Sequence, residues 1–141
     1  MKRVFAAGTF DGLHPGHIKY LAFAKKQGDE IVVVVARDST LERLGKKHYF
    51  NERERLSLVA ALSIVDKALL GNEHDFLKSV EHVQPDVIVL GHDQKVNVRE
   101  LAKKLSEKGL TPRVMRCAPY TRGKYKTGRL KAQKPHFHKE V

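Results

Sequence analysis

Two histidines three residues apart, His14 and His17, close the run Gly8-Thr9-Phe10-Asp11-Gly12-Leu13-His14-Pro15-Gly16-His17. On a helical turn that spacing points both imidazoles to the same side. A helix that begins here, just past a strand, offers an anion its unpaired N–H groups and the positive end of its dipole. Pro15 suits the first helical turn, where its missing N–H would have no partner. Gly8 allows a sharp exit from the strand, Gly12 is a second permissive point, and Gly16 lets a bulky ligand approach the backbone. Two imidazoles beside such a site can donate hydrogen bonds to phosphoryl oxygens. A His-x-x-His pair alone is more often solvated or packed than functional, and zinc normally needs three or four ligands. Cys117 and the other histidines lie in no recognisable ligand spacing. It is the strand, the glycines, Thr9, Asp11 and both histidines together that point to a phosphate site.

Three further segments carry candidate chemistry. Gly91-His92-Asp93-Gln94 follows an apolar run, which puts Gly91 and Asp93 at the carboxyl end of a strand. If that strand neighbours the first, both loops flank the switch point where ligands bind in such sheets. Arg55 stands in the Glu/Arg-rich run Asn51 to Arg55, either as a site residue or on a solvated face; Lys46 and Lys47 precede it in a polar stretch. After the last strand comes Pro119-Tyr120-Thr121-Arg122-Gly123-Lys124-Tyr125, whose bases could meet phosphates and whose tyrosines could stack on a planar ring.

The elements that must position these residues are legible as alternating short apolar runs and amphipathic stretches. Strands are predicted at Val4–Ala7, Glu30–Ala36, Lys67–Leu70, Asp86–Leu90 and Arg113–Cys117. The second contains Ile31-Val32-Val33-Val34-Val35, continuous rather than alternating apolarity, as in a strand buried on both faces of a parallel sheet. Helices are predicted from Pro15 to Lys26 with Ile18, Leu21, Ala22 and Ala24 inward, from a capping box at Asn51 and Glu54 through Leu62, from Asp75 to Val83, and around Val98 to Lys108. Residues 38–50 read as a polar loop or short helix. Strands alternating with helices imply an α/β fold, a parallel sheet of five strands with helices on both faces.

A chain of 141 residues suits one domain. We place it at residues 1–133, with a basic tail at 134–141 that is expected to lack regular structure. The net charge is +11; residues 1–110 hold 18 basic and 15 acidic residues (+3), and residues 111–141 hold 9 and 1 (+8). The basic character therefore belongs mainly to the last fifth of the chain and attracts phosphates of some kind. No aromatic-interleaved RNA motif or helix-turn-helix stands out, which disfavours nucleic acid as the main partner. One cysteine and an apolar start of only four residues, Val4 to Ala7, fit a cytoplasmic protein with neither disulfides nor a membrane span.

The run from Gly8 to His17 resembles the G-T/S-F-D-x-x-H-x-G-H signature of the cytidylyltransferase-like nucleotidyltransferases at every fixed position. The resemblance implies a Rossmann-like single domain in which Thr9, Phe10, Pro15 and Gly16 line the triphosphate site. It also implies that His14 and His17 stabilise the α-phosphorus as pyrophosphate leaves. It places Asp93, with Gly91, against the nucleoside, and Arg55, Lys46 and Lys47 near the triphosphate or second substrate. Glycerol-3-phosphate members close on the nucleotide with R-T-E-G-I-S-T. Here Thr121 and Gly123 match, but Tyr120 replaces the arginine and Tyr125 the serine. Within the superfamily the sequence looks most like archaeal-type FAD synthases, through His14-Pro15-Gly16-His17, Gly28-Asp29-Glu30, Val65-Asp66-Lys67-Ala68 and Gly91-x-Asp93-Gln94. That resemblance implies AMP transfer from ATP to FMN, and a homodimer. A divalent cation such as Mg²⁺ would bridge the triphosphate oxygens, with Asp11 either its neighbour or a turn residue. Glycerol-3-phosphate cytidylyl transfer and sugar-phosphate nucleotidyl transfer are the alternatives within the same chemistry.

Overall fold

The computed structural model describes residues 1–119. Tyr120, Thr121, Gly123 and the 134–141 tail lie outside the described residues. Ten elements follow in order: β1 (Arg3–Gly8), α1 (Pro15–Lys25), β2 (Glu30–Val35), α2 (Asp38–Arg43), α3 (Glu52–Ala60), β3 (Lys67–Leu70), α4 (Phe76–Val83), β4 (Val87–Leu90), α5 (Val98–Glu107) and β5 (Arg113–Arg116). All five strands pair in parallel in the order β3-β2-β1-β4-β5. The fold is the Rossmann-like α/β sheet expected from the alternation of elements.

Each central strand is buried on both faces because its side chains alternate between two cores. Val4, Ala6, Ile31, Val33, Val35, Val87 and Val89 pack on one side with Leu21 and Ala24 of α1 and Val59 of α3. Phe5, Val32, Val34, Ile88 and Leu90 pack on the other with Val80 and Val83 of α4 and Leu101 and Leu105 of α5. Phe5 also meets Phe76 edge to face at 5.4 Å. Ile18, expected on the inward face of α1, is 40% exposed; Tyr20 turns inward instead.

The helix ends obey local chemistry. Asn51 and Glu54 exchange both bonds of the predicted capping box, each at 2.9 Å. Asp75 is the N-cap of α4 rather than its first residue, accepting from the Leu77 N–H. Among the described residues no helix is long and apolar enough to cross a membrane.

The topology decides where a ligand can sit. From β1 the chain steps outward to β2 and β3, and it later returns to lay β4 and β5 on the other side. The carboxyl ends of β1 and β4 are therefore the switch point, where loops leave in opposite directions and open a crevice. The signature loop follows β1, and Gly91 to Gln94 follows β4.

Candidate active site

The signature loop is shaped from within by an aromatic ring. Phe10 has a left-handed backbone (φ 53°) and is 2% exposed. Its ring lies so close to Gly8 that a Cβ there would stand 2.9 Å from two ring carbons. Glycine is required at position 8, and Gly12 (φ 89°) completes the turn with its N–H on the Phe10 carbonyl. The Phe10 ring itself belongs to the core, so any contact of Phe10 with a nucleotide would run through its backbone.

The two histidines are each other's cap. His14 is the N-cap of α1, in extended conformation, and its Nδ1 accepts the Gly16 N–H at 3.0 Å. In return the His14 N–H donates to His17 Nδ1 at 3.2 Å. This is a capping box with imidazoles in both roles, and the ring centroids stand 3.9 Å apart. Both Nδ1 lone pairs are thereby occupied, so each neutral ring carries its proton on Nε2. Among the described residues, the Nε2–H of the exposed His14 and of the half-buried His17 has no hydrogen-bond partner. Burial holds the His17 pKa below its ordinary value, the neighbouring His14 adds to this, and the Asp93 carboxylate opposes it. The site thus presents two Nε2–H donors at the start of a helix, with Pro15 at the first helical position.

Side chains hold the strand divergence open. Pairing of β1 with β4 ends at Ala6 and Val89. Beyond it the Tyr20 hydroxyl accepts the Ala7 N–H at 3.1 Å and donates to the Val89 carbonyl at 2.6 Å. Burial pushes the phenol's pKa well above its ordinary value, so it stays a donor. Gln94 spans the same gap, donating to the Ala7 carbonyl at 2.9 Å and accepting the Gly91 N–H at 2.7 Å. Arg116, at the end of β5, donates to the Gly91 carbonyl at 2.8 Å, to that of Gln94 at 2.9 Å, and to that of Val96. These three residues fix the loop that presents Asp93, which is exposed and within electrostatic reach of His17. Sequence reading gave none of them a role. The available signal was Tyr20 lying three residues beyond His17 on the same helical face.

Asp11 and Arg55 serve the scaffold. The Asp11 carboxylate accepts the Phe50 N–H at 2.9 Å and the Tyr49 N–H at 2.8 Å, and these bonds hold its pKa below the ordinary carboxylate value. The carboxylate thus tethers a segment 38 and 39 residues away to the signature loop. Arg55 is 0% exposed, against the expectation of a solvated face or a ligand contact. It donates to the carbonyls of Phe50, Thr9 and Ala36 at 3.0, 3.0 and 2.7 Å, and to the Asp38 carboxylate at 2.7 Å. Its role is to lock the Thr9 turn to β2 and α3. Lys46 and Lys47 are exposed on the segment that Asp11 tethers. Among the described residues no three His, Cys, Asp or Glu side chains converge as metal ligands.

Two concavities bear on the assignment. An apolar groove of about 650 Å³ opens beside the first turn of α1, lined by Leu13, His14, Pro15, Ile18, Lys19 and Leu62. A cavity of about 360 Å³ lies between β3 and α4, with Arg37, Lys78 and His82 in its walls. The second touches no signature residue, whereas the first is walled by Leu13, His14 and Pro15.

Residues 5–135 match the family described as cytidylyltransferase-like. The chain belongs to this family. Curated relatives include the FAD synthase of Thermoplasma volcanium, 51% identical over 120 residues that cover 85% of this chain and 84% of the relative. The FAD synthase of Methanohalophilus mahii is 52% identical over 116 residues, 82% of this chain and 81% of its own. A crystal structure from Thermoplasma volcanium, described as a lipopolysaccharide core biosynthesis protein, superposes with a TM-score of 0.84 at 50% identity, covering 86% of this chain and 99% of that one. Pantoate-β-alanine ligase from Francisella tularensis shares the fold at a TM-score of 0.60 and 13% identity, over 99% of this chain and 71% of its own.

Proposed function

We propose that the protein is an FMN adenylyltransferase. A phosphate oxygen of FMN attacks the α-phosphorus of ATP, the bond from that phosphorus to the bridging oxygen of the β-phosphate breaks, and pyrophosphate leaves with the electron pair. The product is FAD. The observation that carries the reading is the reciprocal cap of His14 and His17, which occupies both Nδ1 atoms and reserves two Nε2–H donors at the start of the helix that follows β1. The acceptor follows from the FAD synthases that match over most of the chain at about half identity.

No protein nucleophile is needed, because the acceptor's own phosphate attacks. Catalysis in such reactions is positioning plus stabilisation of charge on the phosphoryl oxygens. The imidazole donors supply that stabilisation, and a single preorganised donor of this kind is worth about 10²–10³ in rate. Asp93 and the Gly91 backbone face the nucleoside, and Thr9, Pro15 and Gly16 flank the triphosphate. Lys46 and Lys47 extend over its terminal phosphates.

Mg²⁺ usually keeps several waters and takes one or two carboxylates plus substrate phosphates. The donor set fits an ion carried in on the triphosphate, with Asp93 exposed and Asp11 engaged by backbone N–H groups. When bound, the ion would neutralise phosphate charge. We further propose that the protein works in the cytoplasm as a homodimer, which sedimentation would check.

The Thermoplasma volcanium crystal structure, with its lipopolysaccharide core biosynthesis name, favours a second reading, nucleotidyl transfer to a sugar phosphate. A panel of ATP and CTP against FMN, glycerol 3-phosphate and sugar 1-phosphates, with Mg²⁺, separates the two. FAD from ATP and FMN is the expected product. A CDP-glycerol or nucleotide-sugar product in its place would overturn the proposal.

A further inference from the structure

The side chain of Tyr49 is 94% exposed and that of Phe50 40% exposed. Aromatic rings left in water on a loose loop would carry little meaning, but the backbone beneath these two is fixed. Both N–H groups are held by the Asp11 carboxylate. The Phe50 carbonyl accepts from the fully buried Arg55 and lies 3.0 Å from His48 Nδ1. Arg55 also holds the Thr9 carbonyl, so the segment shares one scaffold with the loop that leads to His14. The Phe50 ring lies over Gly12, 3.9 Å from where a Cβ would stand. The fold thus uses a signature carboxylate and a buried guanidinium to hold in place the backbone that carries two rings contributing little to the core.

We infer that Tyr49, with Phe50 beside it, is the shelf on which the planar ring of the acceptor stacks. A rigid tyrosine supplies contact area at low conformational cost, and its backbone is already ordered, so stacking need not order the loop. A phosphate ester carrying a fused aromatic ring gains from such a shelf; a glycerol or sugar phosphate presents no aromatic face to it. Tyr49 is then a specificity-determining residue. The inference rests on the FMN reading and makes the choice of acceptor a property of residues 49 and 50.

The test uses the full chain and steady-state kinetics with FMN and ATP varied in turn. Tyr49→Ala should raise the KM for FMN about fivefold to tenfold, the size of one aromatic contact. The KM for ATP should change less than about twofold, and Tyr49→Trp should restore FMN binding, because the stacking contact belongs to the acceptor alone. Quenching of FMN fluorescence on binding should weaken in parallel in Tyr49→Ala. If the wild type makes FAD and Tyr49→Ala leaves the KM for FMN unchanged, the shelf is wrong while the activity stands. The shelf is equally wrong if Ile18→Ser, in the apolar groove beside His14, raises that KM and Tyr49→Ala does not. A wild-type protein that makes no FAD overturns the shelf together with the reading it rests on.

Discussion

His14 performs two tasks that a pair of substitutions can separate. Its Nδ1 caps α1 through the Gly16 N–H at 3.0 Å, and its Nε2–H is free for the phosphate. His14→Ala removes both. Losing an N-cap costs about 1 kcal/mol, which for a domain of this size lowers the melting temperature by roughly 3–5 °C. His14→Asn keeps the cap, because asparagine is among the best N-cap residues and its carbonyl oxygen can take the Gly16 N–H. It cannot reach as far as the imidazole Nε2. The melting temperature should therefore stay within about 1 °C of wild type, since the main interaction lost is the outward donor. The turnover number of both variants should fall by about 10²–10³, the loss measured when one oxyanion donor is removed. Circular dichroism melts and FAD formation under saturating ATP and FMN read the two effects apart. A stable His14→Asn protein with wild-type turnover would refute the donor role, whatever His14→Ala did.

Three further outcomes follow from the geometry. Arg55→Met leaves the carbonyls of Thr9, Phe50 and Ala36 and the Asp38 carboxylate without their donor. Breaking a buried pair costs about 3–5 kcal/mol, and the 28% exposure of the Asp38 side chain favours the lower end; a loss of less than about 1 kcal/mol in urea denaturation would contradict the scaffold role. Tyr20→Phe strands the Ala7 N–H and the Val89 carbonyl, and should cost about 1–3 kcal/mol and raise the KM for ATP; an unchanged melting curve would argue against the bridge. Burial lowers the His17 pKa, so the folded state binds fewer protons there than the unfolded chain. Its contribution to stability is present above the unfolded value near 6.5 and is lost as pH falls through the folded value. Titration by NMR should show His17 mostly neutral, with its proton on Nε2, at the unfolded value of 6.5; a His17 still mostly protonated there would contradict the cap geometry.

Local chemistry reached the sequence clearly, and distant packing did not. The Gly8-to-His17 run, the Asn51–Glu54 capping box and the β-branched run of β2 announce their conformations through residues only a few positions apart. The burial of the Phe10 ring was not legible beside the loop glycines. Its inward turn depends on a left-handed backbone and on the missing Cβ of Gly8. Arg55 misled for a different reason: its partners at Thr9 and Ala36 are 46 and 19 residues away, so only the folded chain brings those carbonyls to it. Tyr20, Gln94 and Arg116 went without roles because the gap they bridge exists only once β1 and β4 are neighbours. The position of Asp93, by contrast, followed from its place just past an apolar run.

Everything above turns on whether this site moves an adenylyl group from ATP to FMN. Incubating the purified protein with FMN, Mg²⁺ and ATP labelled at the α-phosphorus, then separating the products by chromatography, decides it. The label should appear in FAD, with unlabelled pyrophosphate released in equal amount. Label that never enters a flavin product, while labelled CTP yields CDP-glycerol or a sugar 1-phosphate yields a nucleotide sugar, would contradict the adenylyl transfer.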